Sequence, residues 1–205
     1  MGIKRINTEP FFISDLHLGH HNVIKYDGRP YMDVDEMHVD FIKRWNEVVD
    51  DDDIVYHLGD LAMRVNETTK WIVYQLKGKI HHIMGNHDTN KDMVKLGRFE
   101  HIHEYGTEIM VKDDTITDKR SDGHQHIIMS HYPILSWNRS HYGSWMLHGH
   151  CHGNLMKGNL DYYKRKVMDV GCNVINYTPI SYKEVKTIMD KRTETQYQKN
   201  NILSR

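Results

Sequence analysis

"KIHHIMGNHD" (79–88) places a β-rich run, 79–84, directly before a cluster of glycine, carboxamide, imidazole and carboxylate. The same pairing recurs along the chain. "FFIS" (11–14) runs into "DLHLGH", "DIVYHL" (53–58) into "GDLA", "HIIM" (126–129) into "SHYP", and "SWML" (144–147) into "HGHCH". Short continuous apolar runs of this kind are the pattern of buried strands. "KVMDVGCNV" (166–174) is a further strand candidate. Helical patterns lie between the runs. In 34–49, Met37, Phe41, Trp45 and Val48 recur every three or four residues, which makes one apolar stripe. Segment 66–76 opens on Asn66, an N-cap residue, and carries Trp71, Ile72 and Leu76. Segment 181–191 opens on "SYKE", a Ser-x-x-Glu capping box ahead of Val185 and Ile188. The region 104–126 reads as a hairpin with a loose turn, and 192–205 as a polar, flexible tail. Strands alternate with helices early and follow one another later, so the expected class is α/β with some antiparallel sheet. There is no internal repeat or linker, and 1–205 reads as one domain.

The charge balance narrows the partners. The chain has 205 residues, with 27 basic against 28 acidic and a net charge of −1, so it lacks the basic excess of a polyanion-binding surface. Extended nucleic-acid binding is disfavoured. No apolar run approaches the roughly 20 residues a membrane span needs, and "MGIKRINTEPFF" lacks the apolar region of a signal peptide. Two cysteines, Cys151 and Cys172, cannot build a disulfide framework. The expectation is a cytoplasmic protein without a membrane partner. Oligomeric state is not written in the sequence. Seventeen histidines are the compositional outlier, and they are spread along the chain rather than gathered as a tag.

The strand ends carry the chemistry. Ligands of α/β sheets sit at the carboxyl ends of the strands. Here those ends carry Asp15 and His17, then Asp60, then Asn86 and His87, then His131, then His150 and His152. Carboxylates, imidazoles and a carboxamide all coordinate first-row divalent ions. The glycines of "GD" and "GNHD" let backbone approach a crowded centre. One "DxH" alone is more often a turn beside a surface histidine. Five such clusters in order carry far more weight.

The ordered set is "DLH" (15–17), "GD" (59–60), "GNHD" (85–88), His131 in "SHYP" and "GHCH" (149–152). It resembles the calcineurin-like metallophosphoesterase superfamily, with motifs spanning 15–152. The stretches "DLHLGHHNVIKYDGRPY" and "HYPILSWN" are similar to its compact bacterial and phage members. The resemblance implies two stacked mixed β-sheets flanked by helices, a four-layer sandwich with a dinuclear metal centre at one edge. It implies that one ion is held by Asp15, His17, Asp60 and His152, and a second by Asp60, Asn86, His131 and His150, with Asp60 as the bridge. It gives His87 a place facing the phosphoryl group and its leaving oxygen, and Asp88 the task of orienting His87. The implied reaction is hydrolysis of a phosphodiester or phosphomonoester by a metal-bridging hydroxide. The mixed nitrogen and oxygen donors suit Mn²⁺, Fe²⁺, Zn²⁺ or Ni²⁺, and ligand type alone does not choose among them; Mn²⁺ is the ion expected. "GDLAMR" keeps Arg64 but has Met63 where the superfamily's phosphoprotein phosphatases carry an acid. That departure shifts the expectation toward a diester.

For a small phosphoester or nucleotide-type substrate, the cleft-lining candidates are His20, His21, Asn22, Arg29, Arg64, Trp137, Asn138, Arg139 and His148. The bland alternative for 137–139 is an ordinary surface loop, and for His148 a packed histidine. His57 is either an orienting residue or packed, and Cys151, between two ligands, points away from them. His81 and His82 face opposite ways, and neither is expected to have a role. Two other classes compete with a hydrolase. A catalytically silent scaffold binding a protein partner would show eroded ligands, and here none is eroded. A zinc module binding nucleic acid is disfavoured by too few cysteines, wrongly spaced.

Overall fold

Phe12, Tyr56 and Ile83 face one way from three neighbouring strands, while Ile13, Val55 and Ile80 face the other. This two-sided burial explains the continuous apolar runs. The computed structural model describes residues 3–117, 121–157, 162 and 165–192. One five-stranded sheet has the order β10-β2-β3-β4-β5. Its strands are β2 (Pro10–Ile13), β3 (Ile54–His57), β4 (Lys79–Ile83), β5 (Phe99–His103) and β10 (Ile180–Ser181). β2 to β5 run parallel, and β10 closes the edge antiparallel to β2. The second five-stranded sheet has the order β1-β6-β7-β8-β9. Its strands are β1 (Lys4–Ile6), β6 (Thr107–Lys112), β7 (His124–Met129), β8 (Trp145–His148) and β9 (Val167–Asp169). Only the β6–β7 pair is antiparallel there, which is the expected hairpin.

Helices α1 (His21–Asp27), α2 (Val34–Val48), α3 (Glu67–Gln75) and α4 (Asn90–Leu96) belong to the parallel half of the chain. Met37, Phe41 and Trp45 of α2, Ile72 and Val73 of α3, and Met93 and Leu96 of α4 share one core with Ile13, Val55 and Ile80. Each large side chain buried there contributes roughly 1.5–3 kcal/mol. A second core fills the space between the sheets, with Phe12, Tyr56 and Ile83 against Ile109, Ile127, Trp145 and Leu147. α5 (Tyr182–Asp190) joins that core through Tyr182, Val185 and Met189. On the far face of the second sheet, Met146, Val167 and Tyr162 are covered by Trp137 and Leu155. The protein is therefore a mixed α/β sandwich.

Local signals set the helix starts. Asp33 accepts from the Asp35 and Glu36 amides, Asn66 and Thr69 cap each other, and Ser181 and Glu184 form the expected box. The candidate strand 166–174 is a strand only over Val167–Asp169 and then turns. The predicted tail lies outside the described residues from 193 onward. No helix among the described residues is long and apolar enough to cross a membrane.

For function, the register matters most. Ile13, His57 and His82 lie side by side across β2, β3 and β4. The three parallel strands therefore end at one level. A bridge from Ser14 to Gly171 ties that edge to the segment after β9. Both sheets thus present their carboxyl ends to a common place.

Candidate metal centre

Asp15 and His17 follow β2, Asp60 follows β3, Asn86 and His87 follow β4, His131 follows β7, and His150 and His152 follow β8. Asp15, His17, Asp60, His150 and His152 all have positive φ, between 49° and 66°. A non-glycine residue in the left-handed region carries roughly 1–2 kcal/mol of strain. Such strain gathers where a site needs it. Here it curls three loops so that their side chains converge. Two glycines make room. A Cβ on Gly85 would overlap the Asp60 carboxylate and amide nitrogen, and one on Gly149 would overlap Ser14 Oγ and crowd Asp15 Oδ2.

The converging atoms have the chemistry of a cation site. His17 Nε2 lies 3.3 Å from His152 Nε2 and 3.6 Å from Asp60 Oδ2. His152 Nε2 lies 3.6 Å from Asp15 Oδ1. His131 Nε2 lies 3.5 Å from Asp60 Oδ2 and 3.0 Å from Asn86 Oδ1, and His150 Nδ1 lies 2.9 Å from that same oxygen. Metal–ligand bonds of about 2.1 Å would put neighbouring donors about 3.0–3.4 Å apart, so these separations fit with small adjustments. Among the described residues, Asp15 with His17 and His152, and Asp15 with Asp60 and His131, form groups able to hold a metal ion.

The hydrogen bonds around these groups fix which nitrogen faces inward. His131 Nδ1 donates to the Leu58 carbonyl at 2.9 Å, and His152 Nδ1 donates to Asp27 Oδ2 at 2.7 Å. In the neutral form each Nε2 is then left with a lone pair aimed at the carboxylates, the arrangement that orients metal-bound histidines. Burial lowers the pKa of His131, so it stays neutral and its Nε2 faces the Asn86 oxygen, acceptor to acceptor. A cation between them resolves that opposition. Burial, together with the charges of His152 and Arg29, pushes His17 down to about 3, which leaves it in the neutral, ligating form. His152 is raised: burial opposes its charge, but the Asp27 bond and the Asp15 charge outweigh it. Burial pushes the Asp15 carboxyl up to about 7, with Asp169 and Asp60 adding to the rise. A carboxylate in that position is short of positive charge, and a bound cation would supply it. The residues present therefore fit a metal.

Four residues that the sequence did not single out hold the site in shape. Asp27 links His152 to Arg29. Asp169 is fully buried and accepts from the Gly153 and Gly171 amides, pinning the turn after His152. Ser14 Oγ donates to the Leu58 carbonyl. Tyr132 stands edge-on to both His131 and His150 and is half exposed beside them. The Asp27–His152 pairing has no spacing signal, because the two are 125 residues apart in sequence.

Several expectations need correction. The Asp88 side chain does not hydrogen-bond His87, its neighbour in the chain. Its side chain is buried and accepts from the Asp60 amide (2.8 Å), the Leu61 amide (3.1 Å), the Gly85 amide (2.8 Å) and His82 Nε2 (3.0 Å). It clasps the loop that carries Asp60 to the loop that carries Asn86. Arg29 is buried rather than cleft-lining, and donates to the carbonyls of Leu16 and Asp15 and to Asp27. His148 is a packed histidine, with Nε2 at 2.8 Å from the Tyr162 hydroxyl and Nδ1 at 2.8 Å from the Gly149 carbonyl. Trp137 donates to Ser144 and lies under Arg165, Asn138 donates to Glu108, and Arg139 covers Tyr142. All three are engaged on the second sheet, away from the converging ligands. Of the remaining cleft candidates, His20 sits beside His17, with ring centroids 5.8 Å apart. His21 and Asn22 lie on the exposed side of α1, and Arg64 is exposed. Cys151 is half-buried, and its thiol is pushed up to about 11 by burial. His82 does have a role, as the partner of Asp88. His57 stacks on His82, with both ring nitrogens buried and unpartnered.

No protein-family model matches the chain. It is 36% identical over 188 residues to "Uncharacterized protein MJ1445" of Methanocaldococcus jannaschii, covering 88% of this chain and 91% of that protein, and it belongs to the family of that protein. The "Gene 66 protein" of Mycobacterium phage L5 is 29% identical over 174 residues, covering 73% of this chain and 80% of the phage protein. Among solved structures, the "Protein of Unknown Function AQ665" from Aquifex aeolicus superposes with a TM-score of 0.67 at 23% identity, over 89% of this chain and all of that one. That likeness concerns the fold alone.

Proposed function

We propose that the chain is a metallophosphoesterase of the calcineurin-like superfamily, with the two sheets as the inner layers of its sandwich. In this reading it hydrolyses a phosphodiester in preference to a monoester. The observation that carries it is the gathering of the donors about Asp60. His17 and His131 both approach Asp60 Oδ2, His152 and Asp15 gather with His17, Asn86 and His150 gather with His131, and Asp15 lies within ligand reach of His131 too. Seven donors about one shared carboxylate are more than a single ion takes from protein, and they match a pair of ions. Two divalent ions there would supply a water acidic enough to attack phosphorus near neutral pH, and a clamp for the phosphate oxygens.

The chain's own residues do the rest. Asp60 Oδ1 accepts the His87 amide at 2.9 Å, which fixes the backbone of His87 against the centre. The His87 imidazole reaches to 4.0 Å from Asp60 Oδ2 and is about two-fifths exposed, so it stands at the open mouth of the site. From there it can hand a proton to a departing oxygen. Asp88 acts one step back, by holding the Asp60 and Gly85 amides in place.

The test is turnover of bis-p-nitrophenyl phosphate and p-nitrophenyl phosphate by protein loaded with Mn²⁺. The expected result is hydrolysis of the diester, abolished in Asp60→Asn and reduced about 10²–10⁴-fold in His87→Ala. A fully loaded protein that turns over neither ester refutes the proposal.

A further inference from the structure

A second cavity of about 420 Å³ opens between the edges of the two sheets, lined by Lys4, Ile54, Tyr56, Lys79, His81, Glu100, His101, His103, Thr107, Glu108 and Ile109. None of these residues belongs to the metal centre. Its size falls in the range of small-molecule sites. Its wall is aromatic on the β4–β5 side, and Lys4 of β1 reaches it with a positive charge. Lys4 Nζ lies 3.2 Å from His81 Nε2, the His81 and His103 rings stack at 6.1 Å, and the His101 and His103 rings meet edge-on at 4.4 Å. The Tyr56 ring stacks on His81 at 5.0 Å. Two polar groups at this wall lack partners. The Tyr56 hydroxyl belongs to a residue only 1% exposed and has no hydrogen bond, and His103 Nε2 is also buried and unpartnered. A buried hydroxyl without a partner costs free energy that a ligand would recover.

Of the other charges at the cavity, Glu100 is exposed and Glu108 and Lys79 are committed. Glu108 accepts from His126 and Asn138, and Lys79 pairs with Asp52. Among the described residues, the three imidazoles do not form a group able to hold a metal ion. The Lys4 ammonium among them also repels a cation. A small anion would give partners to Lys4, the Tyr56 hydroxyl and His103 Nε2.

We infer that this cavity binds a small organic anion, its phosphate or carboxylate head held by Lys4, His81, His103 and the Tyr56 hydroxyl and its apolar part lying against Ile54 and Ile109. The state of the histidines agrees. Burial, followed by the charges of Lys4 and the neighbouring imidazoles, lowers His81 and His103 to about 4 each. An anion in their midst removes that repulsion and raises both.

Phenylphosphonate, which has no ester bond to hydrolyse, is a suitable probe. Inorganic phosphate serves as the comparison without an apolar part. The full chain is titrated with each, and the imidazole signals of His81, His101 and His103 are followed by NMR alongside those of His131 and His150. The expected result is saturable movement of the first three signals at phenylphosphonate concentrations up to about 10 mM, with weaker binding of phosphate. Lys4→Met, at an exposed position, and His103→Gln should each weaken binding there roughly ten-fold or more. Neither should alter the response at His131 and His150. Absence of saturation at the three imidazoles, or unchanged affinity in both variants, overturns the site. Equal affinity for the two probes overturns the apolar contact. Because the metal centre is read separately, failure here leaves the hydrolase proposal standing, and the reverse also holds.

Discussion

Replacing Asp88 with Asn should cost about 3 kcal/mol of folding stability, although the Asp88 side chain hydrogen-bonds neither ligand side chains nor His87. Oδ2 accepts from Asp60 N, Gly85 N and His82, and Oδ1 accepts from Leu61 N. An asparagine keeps one oxygen. With that oxygen in the crowded position, its NH₂ faces the Leu61 amide, donor against donor. One buried amide left unpaired costs roughly 1–3 kcal/mol, and the three remaining bonds, which share one oxygen and so do not add independently, together lose charge assistance of about 1 kcal/mol. In a chain of 205 residues, about 3 kcal/mol corresponds to a Tm lower by roughly 6–12 °C. The effect also has a pH signature. Burial alone would raise the Asp88 pKa, but the His82 bond and charge and the Gly85 amide outweigh it and hold it well below the ordinary 3.8. A carboxyl depressed in the folded state stabilises the fold above its unfolded pKa and loses that contribution as the pH falls through and below about 4. The assay is urea unfolding of metal-free wild type and variant, followed by tryptophan fluorescence, at pH 7 and pH 3. The gap should be wide at pH 7 and narrower at pH 3. A gap below about 0.5 kcal/mol at pH 7, or one that does not change with pH, refutes the clasp.

Three further outcomes follow from the same geometry. Asp27→Asn removes the anion that His152 Nδ1 and Arg29 share, and should weaken metal binding about 10–100-fold by calorimetry while leaving the circular dichroism unchanged. Gly85→Ala forces a methyl into the Asp60 carboxylate and backbone, and should cost at least about 3 kcal/mol and abolish metal binding, read by thermal melts with and without Mn²⁺. Asp15 titrates in the opposite sense to Asp88, its folded pKa being raised to about 7 by burial. The Asp15 contribution to the stability of metal-free wild type should therefore fall as the pH rises from 4 through 7, and Asp15→Asn lacks it, so that in urea unfolding the variant should gain on wild type across that window while losing metal affinity.

Which parts of this were legible in the sequence follows from the range of each interaction. Helices α2, α3 and α5 announce themselves through apolar spacing and capping residues within a few positions of their starts. The strands that carry ligands show as buried runs ending in glycine and acid. The short edge strands β1, β5 and β10 escaped, since Lys4–Ile6 and Phe99–His103 are half-exposed and lack the apolar run. So did α1 and α4, at seven residues each too short for a stripe. At the site, His148 stands two residues before His150 and yet parts from it. It points into the far face of its sheet, toward Tyr162, while the left-handed backbone at His150 and His152 breaks the alternation and brings both toward Asn86 and Asp15. Sequence spacing does not encode such a turn. Asp27 was silent because the two sheets must stack to bring it to His152, and Asp169 and Tyr132 because strand pairing in the second sheet brings them to Gly153 and His150.

The claim that Asp60 stands between two ions is tested most directly by counting them. Protein equilibrated with excess Mn²⁺ and then desalted should retain two ions per chain by elemental analysis, with an exchange-coupled EPR spectrum that becomes an isolated single-ion spectrum in Asp60→Asn. Retention of one ion or none by the wild type, or two ions with no magnetic coupling, would contradict it.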